Sequence, residues 1–293
     1  MAAAAAALWA VNGSVSKVIL DSGVSSLRLT EVRCTGAFLG LVLILAVTGP
    51  GRLKVPLKEL PFLLVFGVCG LAFVQWFYFL AIHRLAIGIA LLVQYLAPLL
   101  VALWARYVFH EPVRRRVWLA LALALCGLAL IVDVRRGGTV STAGILFAVA
   151  AAATYMLYIL LAEHAVGVRG AVPLLAWGFG FAALFFALIA PWWTFPGHEV
   201  SANVSLLGHL STRHLPVWGL MTSMVLLGTI VPFFLIVSAL RHLPATRVGI
   251  IAMLEPVIAI VVAWLWLGET LASIQIAGAI VVLAAIVLAQ TAR

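Results

Sequence analysis

The chain has 293 residues, of which 66% are hydrophobic and 9% charged, with a formal net charge of +9. An ordinary soluble domain carries roughly 25% charged residues, so a water-soluble fold of this size is excluded and the expected solvent is lipid. The basic excess does not imply nucleic-acid binding, because in a membrane protein Lys and Arg gather in cytoplasmic loops.

A helix needs about 20 apolar residues to cross the hydrocarbon. Apolar runs broken by charge and by Gly/Pro punctuation predict ten such helices, over 3–20, 27–48, 58–81, 87–108, 115–133, 141–162, 171–193, 216–240, 246–266 and 272–291. The runs lack the alternation of barrel strands and are too long for them. The first run has no basic n-region and carries Asn12, Ser14, Ser16 and Lys17, which argues against a cleavable signal. It begins so close to Met1 that a trimmed N-terminus is expected. Cys34, Cys69 and Cys126 sit inside apolar runs without metal spacing and read as small packing residues.

In the first span Trp9, Asn12 and Ser16 share a face at i, i+3, i+7. Lys17, Glu31 and Arg33 cluster at the outer end of the first two spans, as an interfacial ion pair or as an outer gate. Gly36 and Gly40 form a GxxxG that permits close helix contact. Gln75 and Tyr78 share a face of the third span; Gln94 and Pro98 share one of the fourth, with Tyr95 beside them. Arg114 to Arg116 anchor the start of the fifth. The Arg- and Gly-rich break from Asp133 to Ser141 divides the chain into units 1–134 and 141–293. Tyr155 and Tyr158 share a face of the sixth span, and Trp177 lies mid-span in the seventh. The 194–215 connection holds His198, Glu199, His209 and His214 at a spacing unlike any helix-borne zinc pattern. No metal is expected there; Val204, Leu206, Leu207 and Leu210 predict instead a short helix lying on the membrane surface.

Glu255 is the one carboxylate that falls mid-span. A charge there costs at least about 2.5–3.5 kcal/mol on insertion scales, so it requires a reason. The adjoining Pro256 lacks an N–H, which frees the carbonyl of Ala252 and invites a kink. Two readings stand: a ligand-facing acid able to hold an ammonium group or a proton, or a buried acid satisfied by an internal donor such as Gln94. Taken together, Trp9, Asn12, Gln75, Tyr78, Gln94, Tyr95, Tyr155, Tyr158, Trp177 and Glu255 predict an amphipathic aromatic cavity for a small amine-bearing solute.

The two units are related. One offset of 158 residues carries Leu96, Pro98 and Glu111 onto Leu254, Pro256 and Glu269, and Ala81, Leu85, Leu125 and Leu130 onto Ala239, Leu243, Leu283 and Leu288. Five crossings per unit invert the second relative to the first, so Glu111 and Glu269 are expected at opposite faces. Both read as positional residues at helix ends. Placing both termini in the cytoplasm gives that side the denser basic set, with Arg52, Lys54, Lys58, Arg106, Arg114, Arg115, Arg116, Arg169, Arg241, Arg247 and Arg293.

Trp9 with Lys17, Arg33, Pro98 followed by Glu111, and Glu255-Pro256 followed by Gly268-Glu269 together resemble the drug/metabolite transporter superfamily. The resemblance is to its ten-helix branch with two EamA-type domains and spans essentially the whole chain. It implies an all-α membrane protein of ten transmembrane helices, built as two inverted five-helix repeats around a central cavity. It also implies export of amino acids or related metabolites, as by the YddG-like exporters, across a bacterial inner membrane. Ala97 and His110 depart from the repeat pattern and make the second repeat the expected ligand contact.

The function expected is a secondary transporter working by alternating access with a small-molecule substrate in a lipid bilayer, Pro98 and Pro256 serving as flexible points. Coupling is to protons through Glu255, or absent. No cofactor is expected, and the absence of a Walker-type loop argues against ATP drive. Efflux of organic cations is the second reading. A polytopic membrane enzyme is a remote third, since every histidine falls in a loop or at a helix end.

Overall fold

The computed structural model describes residues 1–82, 84–85, 87–110, 112–132, 141–195, 197–268 and 272–291. Among these, nine helices are long and apolar enough to cross a membrane, and Ser273–Ala289 adds a shorter apolar one. In chain order they are α1 (Ala2–Asp21), α2 (Ser26–Thr48), α3 (Leu57–Ile82), and α4, formed by two pieces, Ile87–Gln94 and Ala97–Tyr107. They continue as α5 (Arg115–Val132), α6 (Thr142–Arg169), α7 (Ala171–Ile189), α8 (Val217–Ala239), α9 (Ala245–Leu267) and α10 (Ser273–Thr291). Glu111, Glu269, Arg293 and the connection 133–140 lie outside the described residues.

Two departures from regular helix recur at matching places in the two repeats. α3 widens into a π-turn over Phe66–Ala72, and α8 does so over Leu226–Ile230. The offset of 158 residues lays the second on the end of the first. α4 breaks at Tyr95 and Leu96, where Leu96 N–H bonds the Val93 carbonyl; α9 breaks at Met253, whose N–H bonds the Ile250 carbonyl. Pro98 and Pro256 follow these breaks as early residues of the next helical piece, where a missing N–H costs little.

Packing is reciprocal. α1 lies against α8 and α9 of the second repeat, while α6 lies against α3 and α4 of the first. α2 packs on α7 and α5 on α10. The α5–α10 seam is backbone to backbone: a Cβ on Gly127 would stand 2.8 Å from the Gly278 carbonyl oxygen, and one on Gly278 would stand 2.5 Å from that of Gly127. Lipid gives helices no hydrophobic reason to associate, so such close van der Waals contact carries the seam. Gly36 and Gly40 act likewise, receiving Val225 and Ile230 of α8.

The 194–215 connection is not a surface helix. It forms a hairpin, β1 (Asn203–Ser205) antiparallel to β2 (His214–Pro216), pairing Val204 with Leu215. Its apolar side chains turn onto the ends of α1, α2 and α8 on the face opposite the termini: Leu206 is buried with Val18, Ile19, Leu29 and Val217. Trp266 of α9 donates its indole N–H to the Leu206 carbonyl at 2.8 Å. Burial against protein replaces the lipid contact that the apolar pattern suggested. α6 also runs to Arg169, seven residues beyond its expected end; there the Glu163 carboxylate accepts from the first N–H of α9, Ala245, at 2.7 Å.

Candidate transport cavity

A cavity of about 810 Å³ opens between α1, α3, α4, α6 and α9, within the roughly 300–1,000 Å³ of small-molecule sites. Its mouth carries Asp21, Ile82 and Leu267, the ends of α1, α3 and α9, on the face opposite the termini. It descends along α1 to Trp9, twelve residues below Asp21, a depth of about 18 Å at 1.5 Å per residue. Below that the bundle is shut. Pro98 of α4 lies against Gly249 of α9, where an added Cβ would stand 3.1 Å from the proline ring, and Ala102 and Ile250 are fully buried beside them.

Of the residues read as substrate-facing, Trp9, Asn12, Gln75, Tyr78, Gln94, Tyr95, Tyr155, Tyr158 and Glu255 line this one cavity. Trp177 does not. It donates its indole N–H to the Leu53 carbonyl at 3.1 Å and packs near Phe181, tying α7 to the loop before α3. A mid-span tryptophan lies at the right depth, but it faces this loop carbonyl rather than the cavity.

Glu255 sits where the α9 break begins a new helical piece, in the first turn of Leu254–Val262. The positive end of that helix dipole favours a carboxylate there. The Tyr95 hydroxyl donates to Glu255 Oε2 at 2.7 Å and lies 3.4 Å from the Ala252 carbonyl that Pro256 leaves free. The internal donor is therefore Tyr95 rather than Gln94. The broken strands of helix α4 and helix α9 thus meet at one hydrogen-bonded point beside the cavity.

Arg33 also lines the cavity. Its Nε donates to Thr229 Oγ1 at 3.2 Å and its Nη2 to the Gly228 carbonyl at 3.4 Å, both within the α8 π-turn. A π-turn releases backbone carbonyls from the helical ladder, and such turns often mark functional sites. The matching turn in α3 does the same for Gln75, whose Nε2 donates to Leu71 O at 3.1 Å. Arg33 of α2 and Glu255 of α9 both line the cavity, which therefore carries a basic and an acidic side chain.

The rest of the expected gate cluster separates. Lys17 lines the cavity toward its mouth, whereas Glu31 is fully buried behind it. Glu31 Oε2 accepts from Arg28 at 2.6 Å. Arg28 also donates to the Ala190 carbonyl at 2.6 Å, to the Pro191 carbonyl at 3.2 Å and to Thr194 Oγ1, clamping the start of α2 to the end of α7. That pair is a structural clasp which the spacing of Lys17, Glu31 and Arg33 did not reveal.

Phe233 is an aromatic cavity residue that the sequence reading missed. Its ring meets Trp9 edge-on at 5.3 Å and Tyr158 at 5.6 Å, while Tyr155 and Tyr158 stack 6.1 Å apart. These rings form an aromatic floor. The signal was present: the offset of 158 residues places Phe233 at the position of Gln75 in the other repeat.

The chain matches the model of the EamA-like transporter family over residues 1–133 and 142–291. It is 30% identical to the threonine/homoserine exporter RhtA of Escherichia coli K12 over 255 residues, covering 87% of this chain and 76% of that one. The RhtA of Salmonella typhimurium SL1344 is 29% identical over 264 residues, covering 90% and 79%. An uncharacterized transporter of Bacillus subtilis, YdfC, is 25% identical over 235 residues, covering 78% and 71%. A solved crystal structure superposes with a TM-score of 0.76 over 98% of this chain and 93% of that chain at 18% identity, which shows the shared fold. With its two five-helix repeats and their common cavity, the chain belongs to the EamA-like transporter family: it is a membrane transporter of small molecules and not an enzyme.

Proposed function

We propose that this protein exports small amino acids and related metabolites across the cytoplasmic membrane by alternating access, with the cavity as the substrate site. The observation that carries the reading is the presence of both an acidic and a basic side chain in its lining. In this reading Glu255 receives the α-ammonium group and Arg33 the α-carboxylate of a zwitterion, above a floor of Trp9, Phe233 and Tyr158. The exporters named among the relatives support the same direction and class. With both termini cytoplasmic, as the basic residues favour, the cavity faces outward. Pro98 and Pro256, each just beyond a helix break, are the points about which the halves of α4 and α9 would tilt to close this mouth and open the other. The neighbouring Pro98–Gly249 contact is the inner closure that such tilting must part.

Efflux of organic cations fits the cavity less well, because Arg33 and Lys17 line it together with Glu255. Proteoliposomes preloaded with an unlabelled amino acid and diluted into the same labelled compound test the reading. Counterflow above that of protein-free vesicles is expected for small zwitterions and not for quaternary amines. Counterflow of quaternary amines alone would overturn it.

A further inference from the structure

We propose that the deep end of the cavity reads a hydroxyl group on the transported molecule, through Gln75 Oε1 and the Tyr158 hydroxyl. The inference rests on the transport of amino acids proposed above and names the side chain preferred. Gln75 is 8% exposed and Tyr158 0%, both line the cavity, and neither Gln75 Oε1 nor Tyr158 OH finds a hydrogen-bond partner among the described residues. Folded interiors keep few such atoms, and each calls for an explanation.

The two side chains stand on helices that pack together, Gln75 on α3 and Tyr158 on α6. A Cα–Cβ bond tilts toward its helix N-terminus. Tyr158 lies on a helix that descends from the open face and Gln75 on one that ascends, so their Cα–Cβ bonds tilt upward and downward respectively; the Tyr158 ring also stacks on Phe66 of α3 at 5.9 Å. α3 and α6 also approach closely here, since a Cβ on Gly70 would stand 3.3 Å from Tyr158 Cα.

The chemistry on offer is specific. Gln75 Nε2 is committed to the Leu71 carbonyl at 3.1 Å and to Cys34 Sγ at 3.6 Å, which fixes the amide orientation and leaves Oε1 as a pure acceptor. The Tyr158 hydroxyl both donates and accepts. A substrate hydroxyl donates to Gln75 Oε1 and accepts from Tyr158, satisfying both. A methyl group satisfies neither, and a carboxylate turns its own lone pairs toward Oε1. Phe233 and Trp9 close the space beside the pair, which limits the side chain to a small one.

The test compares threonine with valine, which differ by hydroxyl for methyl at nearly constant shape, as competitors of labelled threonine counterflow in proteoliposomes. Threonine is expected to compete about tenfold better than valine in the wild type, the loss of one buried hydrogen-bond pairing. Gln75→Met and Tyr158→Phe are each expected to bring that ratio close to unity. Equal competition in the wild type, or a ratio that survives both substitutions, overturns the inference while leaving amino-acid transport standing. Absence of counterflow for every amino acid overturns the transport reading and this inference with it.

Discussion

Replacing Glu255 by glutamine removes a charge and almost nothing else. The amide keeps the volume and still accepts from the Tyr95 hydroxyl, 2.7 Å from Oε2 in the native protein. What disappears is the carboxylate that, under the proposed function, receives the substrate ammonium. A hydrogen bond to a charged group is worth about 1.5–3 kcal/mol, and about 1.4 kcal/mol is a tenfold change in affinity. The half-saturation concentration of counterflow is therefore expected to rise about ten- to a hundredfold. Placement in the first turn of Leu254–Val262 stabilises the native carboxylate by about 0.3–1 kcal/mol, so folding is expected to survive the change. The assay is counterflow of a labelled amino acid over a concentration series, on protein that elutes as a single symmetric species in detergent. A half-saturation within about twofold of wild type would refute the assignment of the ammonium to Glu255.

Other residues make separable demands. Trp177→Phe forfeits the bond to Leu53 O and is expected to cost about 0.5–1.5 kcal/mol of stability in a thermal unfolding assay; the half-saturation for transport stays put, and a shift would return Trp177 to the site. Gly127→Leu forces a side chain onto the Gly278 backbone, so a loss of at least about 1–3 kcal/mol is expected, whereas Gly167→Ala, with nothing within 4 Å, should gain about 0.5–1 kcal/mol. Equal melting temperatures for these two variants would contradict the α5–α10 seam. Arg28→Met strips Glu31 of the cation that holds it in a buried position and is expected to cost about 3–5 kcal/mol; a double substitution with Glu31→Leu should recover most of that loss.

The architecture was legible because lipid imposes long apolar helices, whose lengths and punctuation are written in the chain. The repeat was legible because duplication left Pro98 and Pro256 in register, and the structure adds matched π-turns that no residue pattern announces. Polar and aromatic residues at mid-depth pointed to the cavity, since each is expensive in lipid and is turned away from it. Depth alone, however, does not give direction. Trp177 shares the depth of the cavity residues but turns to Leu53, and Phe233 hides among many phenylalanines of equal hydropathy. Tyr95 rather than Gln94 reaches Glu255, a choice between adjoining positions that the apolar pattern does not make. The hairpin of Asn203–Ser205 with His214–Pro216 depends on pairing across a loop and on burial against α1 and α2, neither of which a local apolar pattern encodes.

Blocking the cavity tests most directly whether it is the transport path. A cysteine substituted for Ala259, on the cavity wall, is modified with a bulky membrane-impermeant methanethiosulfonate, and counterflow is measured before treatment, after it, and after reduction. None of the native cysteines, Cys34, Cys69 or Cys126, lines the cavity, so the wild type treated in parallel is expected to keep its flux. In Ala259→Cys the flux is expected to stop on modification and return on reduction. Full flux through a protein shown by mass to be modified would contradict the cavity as the route of transport.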